Sequence, residues 1–198
     1  MYTRVIFLNS RDELILFECI KCGACCREET LLVTVTGSDL ARISSVLGLD
    51  SNELIRAVDF YLESVITSRD GLRDFPALNT EKGPAYVALK KLEDGDCVFL
   101  KDNLCMIHII RPVVCMSFPF VFQDAGDHRK WGLSAMKHVC PGLGSGPEVI
   151  GSELIELADT VLEDLILFIE FAEDWNTNSE PTAQKLIEAI LKDPRFTV

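Results

Sequence analysis

Four thiols fall within eight positions of the stretch FECIKCGACCR, residues 17 to 27: Cys19, Cys22, Cys25 and Cys26. A chain with such a run has to cross-link it, use it as a nucleophile or fold it around a metal. At 198 residues and 48% hydrophobic, the protein can bury a core without the disulfide staples that chains below about 40 residues need. Its eight cysteines therefore require another explanation.

Location narrows the choice. The opening MYTRVIFLNSRDELILFEC lacks the apolar h-region and small-residue cleavage site of a secretory signal, so a cytoplasmic chain is expected. In a reducing compartment cysteines serve as metal ligands or catalytic thiols rather than disulfides, whereas an oxidising location would restore the disulfide reading. The stretch VLEDLILFIEF, 161 to 171, carries Glu163, Asp164 and Glu170 and falls short of the roughly 20 apolar residues of a membrane span. It is expected to be a core helix. A net charge of -12 and a pI near 4.7 argue against nucleic acid, which needs clustered Lys and Arg, and leave room for a basic protein partner.

In a CxxC step the two intervening residues fold the backbone back, so that two sulfurs converge on one ion and turn amides point at the thiolates. Gly23 suits such a turn. Here two steps share Cys22, giving CxxCxxC, and Cys26 follows at once. Zinc takes four ligands at tetrahedral corners, usually from paired CxxC units. A cubane iron-sulfur cluster needs one sulfur per iron, and CxxCxxC with a remote Cys-Pro, here Cys140-Pro141, is the ferredoxin-type supply.

Cys25 and Cys26 are adjacent and send their side chains in different directions, so one four-thiolate site would hardly use both. Cys97, Cys105 and Cys115 each fall on a predicted turn or strand end. The eight thiols thus supply two four-ligand sites, or one site and a reactive thiol or two. Thiolates exclude hard ions such as calcium and magnesium. Taken singly, Cys97 beside Val98 and Phe99 also reads as a small buried hydrophobe.

Along the chain, RVIFL (4 to 8) and ELILF (13 to 17) read as a hairpin around NSRD, and LLVTVT (31 to 36) as a strand. SDLARISSVLG predicts a helix capped by Ser38 and ended by Gly48. DSNELIRAVDFYLESVITS predicts another, with a capping box from Asp50 and Glu53 and apolar residues 54, 55, 58, 62, 65 and 66 at helical spacing. Residues 69 to 84 read as a surface loop, 85 to 92 and 97 to 100 as strands around the Asp94-Gly95 turn, and KDN as a turn presenting Cys105. RKWGLSAM (129 to 136) reads as a strand and PGLGSGP (141 to 147) as a breaker. The tail predicts a helix with Leu154, Ile155, Ala158, Val161, Leu162, Leu165, Ile166 and Ile169 on one stripe and acids opposite. A last helix is expected to start at Pro181.

CIKCGACCR together with GDCVFLKDNLCMIHIIRPVVCMSFPF resembles the YkgJ-type cysteine cluster family, a zinc- or iron-chelating domain with the hallmark CxxCxxCC. The hallmark falls on Cys19, Cys22, Cys25 and Cys26. The family's second block matches Gly95 to Leu100, Cys105 to His108, and Arg111 to Pro119, with His108 where Tyr is usual and Met116 where Arg is usual. The likeness covers residues 17 to 140. It extends to the cluster domain of flagellin lysine N-methylases, which implies an iron-sulfur cluster and methyl transfer from S-adenosylmethionine.

Around these motifs, Arg111 reads either as a donor balancing a thiolate-rich site or as a surface ion-pair partner. His108 and His138 are candidate nitrogen ligands or ordinary histidines, and His128 in DAGDHRK reads as solvated. FPFVF, 118 to 122, reads as core or as a shield around a cluster. The acidic face of the 153 to 174 helix reads as solvated, or as a dock for a basic partner. No GxGxxG after a strand, Walker loop, GxSxG or HExxH occurs.

The expectation is an α+β fold, small sheets and loops carrying a cysteine-rich metal site packed with several helices. It forms one domain over 1 to 198, with the cluster in 1 to 145 and a helical tail in 146 to 198. Cys19, Cys22, Cys25, Cys26, Cys97, Cys105, Cys115 and Cys140 are the expected ligands, of a 4Fe-4S cluster or of zinc. The expected functions are an iron-sulfur protein with a redox or methyl-transfer role, a non-catalytic zinc module that binds a partner, or a thiol oxidoreductase attacking through Cys25 or Cys26.

Overall fold

The computed structural model describes residues 6–7, 15–66, 72, 74–126, 129–134 and 138–197. In chain order its elements are β1 (Ile6–Phe7), β2 (Leu16–Phe17), α1 (Ala24–Arg27), α2 (Gly37–Leu47), α3 (Ser51–Leu54), β3 (Val58–Leu62), β4 (Leu78–Thr80), β5 (Gly83–Leu89), β6 (Leu100–Lys101) and β7 (Leu104–Cys105). Then come α4 (Val113–Ser117), β8 (Phe120–Asp124), β9 (Arg129–Leu133), β10 (Leu143–Glu148), α5 (Gly151–Trp175) and α6 (Ala183–Lys192). This is an α+β fold whose small sheets, all antiparallel, run in the orders β1-β9-β8, β10-β2, β3-β5-β4 and β6-β7.

The expected N-terminal hairpin does not form among the described residues. β1 pairs with β9 and β2 with β10, so the two segments enter different sheets. The predicted breaker is correspondingly a strand, since 143 to 148 return to β2. Both outcomes depend on partners more than a hundred residues away in sequence, which local turn chemistry does not report.

The expected helix over 50 to 68 also gives way. Its capping box forms, with Asp50 accepting from the amides of Asn52 and Glu53, but the helix stops at Leu54 and passes through a 3-10 turn into β3. VDFYL, mostly β-branched or aromatic, pairs in continuous register with β5 from Val58 opposite Leu89 to Leu62 opposite Ala85. Cross-strand pairing outweighs an apolar spacing that fits either period. Within the expected 69 to 84 loop, Leu78–Thr80 is β4. LLVTVT contributes a bridge, Thr34 opposite Ala88, rather than a strand: Val35 donates to Val87 at 3.1 Å, and Leu89 donates to Val33 at 2.8 Å.

The core is assembled from α2, the inner face of β5 and the two C-terminal helices, with Leu40, Ile43, Val87, Phe168, Leu186, Ile187 and Ile190 buried completely. Gly48 ends α2 as expected, in the left-handed region. Its cap, however, is Thr36, one residue before the helix and two before Ser38. On α5 the buried face is Leu154, Ala158, Phe168, Phe171, Ala172 and Trp175, whereas Ile155 and Ile166 are exposed and Asp164 is buried. The acid belongs inside because it accepts from the Thr36 hydroxyl at 2.6 Å. Pro181 lies outside α6, whose cap is Thr182 accepting from the Lys185 amide. Among the described residues no helix is long and apolar enough to cross a membrane.

Candidate metal centre

Gly23 takes φ 69°, a left-handed conformation that a side chain resists, and initiates the single turn α1 that carries Cys25 and Cys26. A Cβ there would also press to 3.0 Å on the Asn103 carbonyl and on Leu100. Arg27 clasps the loop, donating to the Cys22 carbonyl and to Asn103 Oδ1, both at 2.7 Å.

The second block docks directly on the first. The Cys97 amide donates to the Cys26 carbonyl at 2.8 Å, and Lys91 Nζ donates to the carbonyls of Cys26 and Glu28, each at 3.0 Å. β6 and β7 are joined by the two-residue turn Asp102-Asn103, both at positive φ, which presents Cys105 as the KDN motif predicts. Pro112 leads into α4, which carries Cys115. The α4 amide of Val113 donates to the buried carboxylate of Asp39 at 3.0 Å.

Cys25, Cys26, Cys97, Cys105 and Cys115 line one cavity of about 60 Å³, walled mainly by apolar residues including Val33, Phe99, Ile107 and Phe118, with Arg111 as its cation. All eight cysteines are free thiols; Cys97 is buried, Cys19 exposed and the others half-buried. Cys26 hydrogen-bonds both Cys105 and Cys25, and holding the shared proton raises it far above an ordinary thiol. The same bond from Cys26 lowers Cys25 to about 7 and Cys105 to about 6. The Ile107 amide and the Arg111 charge further favour the Cys105 thiolate. Burial raises Cys97 and, more strongly, Cys115, to which the neighbouring Cys25 charge adds.

Backbone amides are aimed at several sulfurs, from Phe99 to Cys97, from Ile107 to Cys105, and from Gly142 and Leu143 to Cys140. Such amides stabilise thiolates. Cys140 is raised by burial first, and also by the charges of Cys25 and Cys22, so it stands beside the N-terminal run. Cys19 lies apart at the surface, its sulfur 3.8 Å from His108 Nε2. Among the described residues no three His, Cys, Asp or Glu side chains already form a compact metal cage. The donor set around the cavity, five sulfurs with amides and one guanidinium, fits a soft metal and not a hard one.

Arg111 belongs to this site: Nη1 donates to the His108 carbonyl at 2.6 Å and Nε to the Cys115 carbonyl at 3.3 Å. Burial first, and then the Arg111 and Lys21 charges, lower His108. His138 is exposed, and His128 lies outside the described residues. Of the aromatic run, Phe118 lines the cavity while Phe120 is core, edge-on to Phe17 and near Trp131.

Sequence reasoning missed the buried polar lattice behind the site. Asp39 accepts from Thr36 N at 3.1 Å, from Arg42 at 2.5 Å and from Val113 N, and it is fully buried. Burial first, and the nearby Asp164 charge second, raise its carboxyl to about 6. The signal was present as Thr36-x-x-Asp39, a capping box, but Ser38 drew the assignment.

Residues 18–141 match the family model described as "CxxCxxCC: Putative zinc- or iron-chelating domain". The chain is also similar to two uncharacterized proteins of Methanocaldococcus jannaschii. One is 27% identical over 196 residues, spanning 94% of this chain and 87% of that protein. The other is 33% identical over 119 residues, spanning 56% of this chain and 41% of that protein. No solved structure matches.

Proposed function

This chain belongs to the CxxCxxCC family of zinc- or iron-chelating domains, and from that premise we propose that it is an iron-sulfur protein whose cluster sits among Cys25, Cys26, Cys97, Cys105 and Cys115. The observation that carries this is the convergence of five thiols from two distant segments on one apolar-walled cavity. The sulfurs stand around a void rather than around a point, which would suit a cluster needing one sulfur per iron better than a single zinc ion; since either takes four, one of the five, as the adjacency of Cys25 and Cys26 leads one to expect, would stay outside the ligand set. When bound, such a cluster supplies one-electron redox chemistry.

The chain's own residues then have distinct tasks. Cys25 and Cys105 offer thiolates near neutral pH, while Cys26 holds a proton between them that must leave when it ligates. Phe99, Ile107 and Phe118 exclude water, which shields a redox centre and tunes its potential. Arg111 offsets the accumulated negative charge. The redox role rests on this shielding, and methyl transfer rests on the resemblance alone.

Zinc is the second reading, favoured by the direct contact of Cys26 with both Cys25 and Cys105. In that case the centre is structural and the domain a partner-binding module. Oxygen-free purification with visible absorption and iron and sulfide assays separates the two. A brown protein with iron and labile sulfide is expected; a colourless one carrying zinc replaces the first reading with the second.

A further inference from the structure

Side chains alternate across a strand, and at Cys105 the two sides differ sharply. The Cys105 sulfur lines the cavity, while its neighbours Leu104 and Met106 are exposed on the opposite side. Lys101 lies directly opposite Leu104 in the β6-β7 pair and is exposed too, so a cation shares that outer face.

Two more apolar side chains join it from neighbouring loops. Ile109 follows His108 and is 94% exposed, and exposed Ile20 follows Cys19. Their loops meet where Cys19 Sγ comes within 3.8 Å of His108 Nε2. Arg27, donating to Asn103 Oδ1 at 2.7 Å, fastens the Cys19 loop to the hairpin turn, and Lys21 stands near enough for its charge to act on His108.

Charge is sorted in the same way. Segments 19 to 27 and 99 to 111 hold Lys21, Arg27, Lys101 and Arg111 against one acid, Asp102, in a chain whose net charge is -12. Flanking acids turn elsewhere: Glu18 packs against Gly146 and Glu29 against Gly95. An apolar patch rimmed by cations stands out from an acidic surface, and its complement is apolar and anionic.

Size and shape decide what that complement is. A stable protein interface uses roughly 20 to 30 residues a side, and four apolar tips fall far short of it. Side chains as exposed as Ile109 project from the surface and do not line a groove. Between lipid headgroups a projecting tip leaves water without any matching partner surface, while Lys and Arg beside it meet anionic phosphates. Charges elsewhere on the chain are screened beyond about 8 Å at physiological salt, and their repulsion turns this face toward the bilayer.

The geometry points to a peripheral membrane-docking surface: Ile20, Leu104, Met106 and Ile109 enter the headgroup region of an anionic bilayer, with Lys21 and Lys101 on its phosphates. No membrane span is involved, and the inference holds whichever metal fills the inner cavity.

Cosedimentation of the full chain with extruded vesicles tests it, one set of phosphatidylcholine alone and one of phosphatidylcholine and phosphatidylglycerol in equal parts. The chain is expected to partition onto the second set at least about 10-fold more strongly than onto the first, and to leave it as salt is raised. Ile109→Glu should lower that partition about 10-fold or more, and Lys21→Gln and Lys101→Gln about 5-fold each. Ile155→Glu, at an exposed apolar residue of α5, should leave it unchanged. Circular dichroism of each variant reports on folding. Absence of the parent chain from both vesicle pellets overturns the inference and leaves the patch to a protein partner. Binding that Ile109→Glu does not lower, or that Ile155→Glu lowers equally, overturns it as well.

Discussion

The amide of Cys97 donates to the carbonyl of Cys26 at 2.8 Å. The two cysteine blocks are thereby joined through backbone, reinforced by Lys91 on the Cys26 and Glu28 carbonyls. The main hydrophobic core includes Cys97 and Ile107 of the site, but most of it comes from α2, β5, α5, α6 and the segments beside them.

Removing the metal is therefore expected to loosen the centre without unfolding the chain, unlike zinc fingers, which are unfolded without their ion. Chelation under reducing conditions should lower the melting temperature and preserve the far-ultraviolet circular dichroism. Loss of that signal on chelation would show that the metal organises the core.

Arg111 touches both the Cys115 and His108 carbonyls and supplies the cavity's positive charge. Arg111→Gln is expected to weaken metal binding about 10- to 100-fold, the usual cost of losing a group that supports the ligands. Competition with a chromophoric chelator measures it, and an unaltered affinity would return Arg111 to a structural role.

Thr36 both caps α2 and donates its hydroxyl to buried Asp164. Thr36→Ala removes a cap and strands a buried acceptor, an expected loss of about 2 to 4 kcal/mol in urea unfolding. Ser38→Ala, at the position that the sequence reading favours, should change stability by less than about 0.5 kcal/mol.

Asp39 gives a pH signature. Its carboxyl is raised from 3.8 to about 6, so between those values the native chain keeps a proton that the unfolded chain has released. Stability from this group is highest at low pH, falls as pH rises through that window and levels off above it, a change of about 3 kcal/mol. Asp39→Asn lacks the component, so the parent's stability relative to the variant should fall by about that amount from pH 4 to pH 7. A constant difference across this range would contradict the burial effect.

What could be read from sequence was what short spacing encodes. The thiol run, the Asp50 capping box, the Gly48 stop, the KDN turn and the long C-terminal helix are local, and each forms. The rest depends on distant partners. Residues 58 to 62 become a strand because β5 is there to receive them, and 143 to 148 do so because β2 is. Asp164 looked like a member of a solvated face until Thr36 supplied a buried donor. Within the site, spacing identified the thiols, but which of them share a cavity follows from the backbone link between Cys26 and Cys97.

The Asp102-Asn103 turn acts as a ruler for the whole centre. With only two residues between the strands, Leu100 must sit opposite Cys105 and Lys101 opposite Leu104, and Asn103 is pinned by Arg27. Side chains alternate across a strand, so one inserted residue would exchange inside for outside, turning the Cys105 sulfur to solvent and offering its place to exposed Leu104 or Met106. A change in chain length of a single residue in this turn, with every cysteine kept, would thus silence a donor as surely as deleting it.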